Sequence, residues 1–272
     1  MIILQYKMIV LDMDDTLLTS ENTILPSTID ALIKAQEKGI KVVLASGRPT
    51  GGMIEAAQEL QLANFGSYIL SYNGAVVINV ATGEVIDSTY VSKSSFDKVY
   101  DYLKARDVFV LTYVDNTIVY EGTHKYMNVE HELTGLPMQS VENLKTYVTA
   151  AVPKLMGVDD IDKISQMNQE IGGSFNEDIH ATTSKPFFLE FINKNVSKGK
   201  VLKQLADKLN IKPSEIIAFG DSNNDKDMLE FAGLGVAMGN ANENIKAIAD
   251  VITEDHNNDG IANIVKQYIS LQ

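Results

Sequence analysis

Three short apolar runs in this chain break off into polar clusters, and that repeated ending constrains the fold more than any other feature. MIVL (8–11) runs into Asp12-Met13-Asp14-Asp15-Thr16, and KVVLA (41–45) runs into Ser46-Gly47-Arg48. IIAF (216–219) runs into Gly220-Asp221-Ser222-Asn223-Asn224-Asp225. Runs of four or five apolar residues without polar alternation read as strands buried on both faces, as a parallel sheet requires. Helical spacing separates them. Ile29, Leu32, Ile33 and Gln36 share one face over 27–38, with Gly39 placed as the C′ residue, and 53–60 is helix-like. Helices are also expected over about 198–209 and 226–231. Alternation of strand and helix predicts an α/β fold built on a parallel sheet. Ligands of such sheets bind outside the carboxyl ends of the strands, so three polar clusters at those ends imply one site.

The middle of the chain has a different texture. Asn73-Gly74 lies between two apolar segments of 67–80 and signals a hairpin. A helix over 92–106 places Phe96, Val99, Tyr100 and Leu103 on one face, and strand-like segments at 108–114 and 117–120 flank Asp115-Asn116. The region to about 185 reads as α+β, and PFFLEFIN (186–193) reads as the strand at which the α/β pattern resumes. The chain length of 272 residues suits about two domains at roughly 150 residues each. The expected organisation is a discontinuous core, 1–84 and 187–272, with a domain inserted over 85–186.

The clusters carry chemistry. Asp12 and Asp14 are two residues apart, so on extended chain both carboxylates project to one side, where each can face a hard cation such as Mg2+. A D-x-D pair alone fits a helix N-cap equally well. Asp221 adds a further carboxylate at the end of another buried strand. Asp225, four residues on, is placed on the same helical face to support a metal shell. Asn224 offers an amide, and Ser46 a hydroxyl, to an anion. Lys198, at the start of a predicted helix, supplies positive charge that three carboxylates and a phosphate would need. In such a site a carboxylate can displace an alcohol from a phosphoryl group, and water then releases the acyl phosphate.

Composition narrows the partners. With 23 Lys and Arg against 36 Asp and Glu, the net charge is −13. Nucleic acid and anionic membrane surfaces are therefore unfavourable partners. The absence of cysteine excludes disulfides and thiolate chemistry. Lys7 and Asp12 interrupt the N-terminal apolar stretch before a signal-peptide core could form, so a cytoplasmic protein is expected.

DMDDTLL, LASGRP, VSKGK and GDSNND, in this order, resemble the four motifs of the haloacid dehalogenase-like (HAD) phosphatases. SYNGA and PFFLEFINKNVSKG resemble the Cof-type branch, and within it the YidA-like sugar phosphatases. The resemblance spans nearly the whole chain and is weakest over 85–185. It implies a Rossmann-like core with an inserted C2-type cap, Mg2+ as cofactor, and hydrolysis of small phosphorylated metabolites, with sugar phosphates foremost. By position, Asp12 resembles the nucleophile and a metal ligand. Asp14 resembles the general acid/base and, through its backbone carbonyl, a metal ligand. Asp221 resembles the third protein ligand, with Asp225 in support. The Met13 backbone, Ser46, Gly47, Lys198 and Asn224 resemble the phosphate contacts. Asp15 stands where the family often has Gly, and its side chain is expected to point outward.

Other residues read as ordinary structure. His124, His131, His180 and His256 show no metal-ligand spacing with one another and suit surface or cap positions. Residues 255–260 (DHNNDG) suit a loop leading into the last helix. Tyr113, Tyr120 and His180 are candidate cap contacts to substrate. A phosphomutase on the same scaffold, a phospho-accepting signalling module and a non-catalytic binding protein are the competing readings. Release of inorganic phosphate without a bisphosphate activator separates hydrolysis from the first.

Overall fold

The computed structural model describes residues 6–270, so the first five residues of the N-terminal stretch, and the last two of the chain, lie outside the described residues. The chain divides into two compact units. The first comprises 1–46, 53–87 and 197–272, and the second 47–52 and 88–196.

The first unit is built on an eight-stranded sheet. Its strands are β1 Met8–Leu11, β2 Lys41–Ala45, β3 Tyr68–Ser71, β4 Val76–Asn79 and β5 Val85–Ser88. The second unit then supplies β6 Phe109–Val114, β7 Thr117–Glu121, β8 Met138–Ser140, β9 Leu155–Val158, β10 Ile179–Thr183 and β11 Phe188–Asn193. The first sheet is completed by β12 Ile216–Gly220, β13 Leu234–Ala237 and β14 Val251–Ile252. Its order is β14-β13-β12-β1-β2-β3-β4-β5. The strands from β14 to β3 pair in parallel, and β4 returns antiparallel to β3. Counted along the chain, the six parallel strands lie in the order 3-2-1-4-5-6. The direction of winding reverses between β1 and β12, which is where a crevice opens in doubly wound sheets.

Alternation along each strand explains the two cores. Ile9 and Leu11 of β1 pack on one face with Ala31, Leu32 and Ala35 of the helix Pro26–Glu37 and with Ile261 and Val265 of Gly260–Tyr268. Met8 and Val10 pack on the other face with Leu202 and Leu205 of the helix Lys198–Lys208 and Met228 of Lys226–Phe231. All four β1 side chains are buried, each worth about 1.5–3 kcal/mol, so this strand is held from both sides.

The second unit has a six-stranded sheet in the order β10-β11-β9-β6-β7-β8. It is antiparallel except for the β7–β8 pair. Asp115 and Asn116, at φ 48° and 58°, make the tight β6–β7 turn that the dipeptide predicts. PFFLEFIN differs from its reading as a returning core strand: β11 pairs with β10 and β9 in this second sheet. Leu189 and Phe191 enter that unit's core beside Phe96, Val99 and Leu103. A short apolar run looks the same in a parallel or an antiparallel sheet, so its sequence does not say which one takes it. Among the described residues, no helix is long and apolar enough to cross a membrane.

Candidate active site

The carboxyl ends of β12, β1, β2 and β3 lie side by side, and the polar clusters follow them. β1 is pinned to its neighbour by Asp12 N donating to Phe219 O at 3.1 Å. The chain then leaves the strand in a tight turn over Met13–Leu17, closed by Leu17 N to Asp12 O and Leu18 N to Met13 O. This turn separates the two aspartates. Asp12 is buried and Asp14 is exposed, and the Asp14 carboxylate does not join the carboxylate group described below. The expectation that both carboxylates face one cation assumed a continuous extended chain. The backbone instead turns over Met13–Leu17, with Asp14 at φ −67°, ψ 129° followed by left-handed Asp15. Asp15, at φ 58°, sits in the left-handed region, and its side chain is 62% exposed.

Lys198 is the organising cation. It begins the helix Lys198–Lys208, whose N-cap Ser197 accepts from Lys200 N. Its ammonium is fully buried and donates to Asp12 Oδ1 at 2.5 Å and to Asp225 Oδ1 at 2.6 Å. Asp225 Oδ2 in turn accepts from the backbone N–H groups of Asp221 and Ser222, each at 3.0 Å. Asp225 therefore reaches the cluster by capping the turn that follows β12, and not by sharing a helical face with Asp221. Gly220 makes this possible, because a Cβ there would lie 2.5 Å from Asp225 Cβ. Asp221 is held on both oxygens, by Thr16 Oγ1 at 3.1 Å and by Ser222 Oγ at 2.8 Å.

Asp12, Asp221 and Asp225 have carboxylate oxygens within 4.8 Å of one another. Burial, then the charges of Asp225 and Asp221, push the Asp12 carboxyl well above the ordinary range against the pull of Lys198. Burial and then Asp225 raise Asp221 as well, while Ser222 and Thr16 lower it. Burial alone would lower the Lys198 ammonium, yet Asp12 and Asp225 hold it above its usual value. Three acids against one lysine leave an excess of negative charge, and a donor set made only of oxygens fits a hard divalent cation.

On the other side of Asp12, Ser46 is buried at the end of β2, with its N–H donating to Leu70 O and its carbonyl accepting from Asn73 N at 2.8 Å. Asn224 Nδ2 donates to Asn73 Oδ1 at 3.2 Å. Asn73 thus ties two expected phosphate contacts together. Its Asn-Gly sequence had suggested only a turn. Thr16 was also missed as a participant, although it stands within the first cluster. Met13 is buried beside Asp12. Gly47 belongs to the second unit, where Lys154 Nζ donates to its carbonyl at 3.3 Å.

The remaining candidates separate. Tyr113 is buried inside the second unit and donates to Glu130, Tyr120 stacks at a tilt on Phe109, and His180 is exposed. His256 departs from a surface or cap role. It lies in the first unit with its side chain 10% exposed, 3.0 Å from Ser20 Oγ and 3.8 Å from Asp15 Oδ1. His124 neighbours Asp159 and Asp160, but Lys163 and Lys125 already pair with those acids.

The family model for haloacid dehalogenase-like hydrolases matches residues 9–265. YxeH of Bacillus subtilis (strain 168) is 32% identical, over 97% of this chain and 98% of its own. The pyridoxal phosphate phosphatase YbhA of Escherichia coli (strain K12) is 27% identical, over 97% and 98%. A haloacid dehalogenase-like hydrolase structure from Bacteroides thetaiotaomicron superposes with a TM-score of 0.90 at 36% identity, covering 97% of this chain and 99% of that one. The sugar phosphatase BT4131, of HAD subclass IIB, superposes with a TM-score of 0.80 at 26% identity, covering 96% and 98%. With its α/β core, its acidic cluster at the switch point and a match over nearly its whole length, this chain belongs to the haloacid dehalogenase-like hydrolase family.

Proposed function

We propose that the protein is a cytoplasmic, Mg2+-dependent phosphomonoesterase acting on small phosphorylated metabolites, sugar phosphates among them, through an aspartyl-phosphate on Asp12. The observation that carries this reading is the state of Asp12. It is buried at the switch point, with Oδ1 held by Lys198, and among the described residues no donor bonds to Oδ2. A carboxylate held by one oxygen and open on the other is oriented for attack.

In this reading Asp12 Oδ2 bonds to phosphorus as the bond from phosphorus to the ester oxygen breaks. Asp14, exposed beside it in the turn, gives its proton to the departing alkoxide. The resulting Asp14 carboxylate takes a proton from water as that water bonds to phosphorus, and the bond to Asp12 breaks to release phosphate. Mg2+ held by Asp12, Asp221 and the Asp14 carbonyl, with Asp225 in support, would supply charge neutralisation to the phosphoryl oxygens. Lys198, the Ser46 hydroxyl, the Asn224 amide and the N–H groups of Met13 and Gly47 would hold those oxygens in place.

The similarity to BT4131 favours sugar phosphates, and the similarity to YbhA favours including pyridoxal phosphate. The net charge of −13 disfavours nucleic acid and anionic membrane as partners. The test is phosphate release from a panel of sugar phosphates, nucleotides, flavin mononucleotide and pyridoxal phosphate, with Mg2+ and with EDTA. Metal-dependent release without a bisphosphate activator is expected. Release unaffected by EDTA would contradict the metal assignment, and release from none of the compounds would contradict the phosphatase assignment.

A further inference from the structure

The turn between β3 and β4 carries left-handed backbone at buried residues. Tyr72, Asn73 and Gly74 all have positive φ, at 53°, 58° and 98°. The first two carry side chains, and left-handed backbone costs such residues roughly 1–2 kcal/mol each, somewhat less for Asn. Tyr72 is an aromatic residue and is 4% exposed, so no flexible surface loop absorbs the cost. Strain of this kind persists where surrounding contacts over-determine it, and it gathers at functional positions.

The contacts that hold the turn lead to the site. Asn73 N donates to Ser46 O at 2.8 Å, fixing the peptide that follows β2. Asn73 Oδ1 accepts from Asn224 Nδ2 at 3.2 Å, fixing the amide that follows β12. Asn73 is 8% exposed and Asn224 is exposed, so the bond is part-buried, with its acceptor on the sheltered side. β1 lies between β12 and β2 in the sheet, so these two bonds join residues on either side of Asp12. An amide can rotate about its side-chain torsions. Once one N–H of Asn224 is engaged by Asn73, its plane is set and the other N–H has a defined direction.

We infer that Asn73 is a positioning residue of the phosphate site: it orients the Asn224 amide and the Ser46 peptide to receive the phosphoryl group. The inference rests on the phosphomonoesterase reading. A purely conformational account of Asn73 makes a different prediction, because glycine adopts positive φ more readily than asparagine. If only the turn matters, Asn73→Gly is harmless. If the amide matters, the turn survives and phosphate binding suffers.

The experiment is calorimetric titration of inorganic phosphate, with Mg2+ present, into wild type, Asn73→Gly, Asn224→Ala and the double variant. Sugar-phosphate kinetics and melting temperature are measured in parallel. Asn73→Gly should keep its melting temperature and weaken phosphate binding about three- to tenfold, the span expected of one hydrogen bond. kcat/KM should fall by at least that factor. In the Asn224→Ala background the further loss should shrink toward none, since the two residues act through one bond. Wild-type phosphate affinity in Asn73→Gly would overturn the inference, and so would equal losses in both backgrounds. The coupling comparison also decides the matter if Asn73→Gly is less stable than expected. A wild type that hydrolyses no monoester would instead remove the functional reading beneath it.

Discussion

Each unit of this protein buries a lysine among carboxylates, and the two clusters are built differently. In the first unit Lys198 bonds to Asp12 and Asp225, and each oxygen of Asp225 and Asp221 has a donor or cation partner. In the second, Lys154 pairs with Glu190 Oε1 at 3.0 Å, with both side chains nearly inaccessible, and Ser184 donates to the same oxygen at 2.5 Å. Among the described residues, Glu190 Oε2 is buried without a hydrogen-bond partner. Nearby, Glu130 accepts from Tyr113, and burial raises its carboxyl above the ordinary range, with Lys154 opposing and Glu190 assisting. The hydrogen bonds of the first cluster hold one oxygen of Asp12, Oδ1, through Lys198. The second is a buried ion pair between Glu190 of β11 and Lys154 just before β9, and such pairs define a packing arrangement more than they stabilise it.

Substitutions can break or sharpen that contrast. The largest effect is expected at Lys198. Lys198→Met should lower turnover by about 10²–10³-fold, as for loss of one preorganised charge at a developing anion. Unchanged steady-state kinetics in a folded variant would remove Lys198 from the site. Lys154→Met should act on stability instead. It strands the buried Glu190 charge, so denaturant unfolding should show a loss of about 3–5 kcal/mol, and adding Glu190→Leu should recover most of it. Failure of the second substitution to recover stability would show that the ion pair itself is needed for the fold.

Glu130→Gln is a smaller perturbation with a defined pH signature. The folded carboxyl titrates above its unfolded value of 4.5, so the fold favours the protonated acid. Its stabilising contribution is complete below pH 4.5 and is lost as pH rises through the folded value. The glutamine variant should therefore melt higher than wild type at pH 8, with the gap closing towards pH 4. A gap that widens on acidification would reverse the assignment. Smallest of all, Asp15→Gly should leave turnover within a few-fold. That side chain is 62% exposed, and its backbone is already in the region glycine favours. A large loss would mean that the acid participates in the chemistry.

The same contrast accounts for how much of the molecule its sequence discloses. Asp12, Asp221 and Lys198 stand at ends of buried elements, where packing alone does not call for a charged side chain, and the α/β alternation predicted the sheet that gathers them. Lys154 and Glu190 lie within VPKLMGV and FFLEFIN, where a single charge in an apolar run carries no spacing signal. Asn73 was legible as a turn former but not as a partner of Asn224, because that bond joins residues 151 apart. The placement of β11 failed for the related reason that strand periodicity does not name the sheet. Asp14 was expected to share a face with Asp12, and the turn at Met13–Leu17 sends it outward instead. That exposure suits the proton transfer to alcohol and from water proposed for Asp14.

The central claim is that Asp12 is the covalent nucleophile, and rapid acid quenching during turnover tests it most directly. Intact-mass and peptide mass spectrometry of wild type, mixed with a sugar phosphate and Mg2+, should find one phosphoryl group, carried on the peptide containing Asp12. It should be absent from Asp12→Asn, which should also release no phosphate. Turnover by a folded Asp12→Asn variant, or a phosphoryl group trapped on a different residue, would contradict the account.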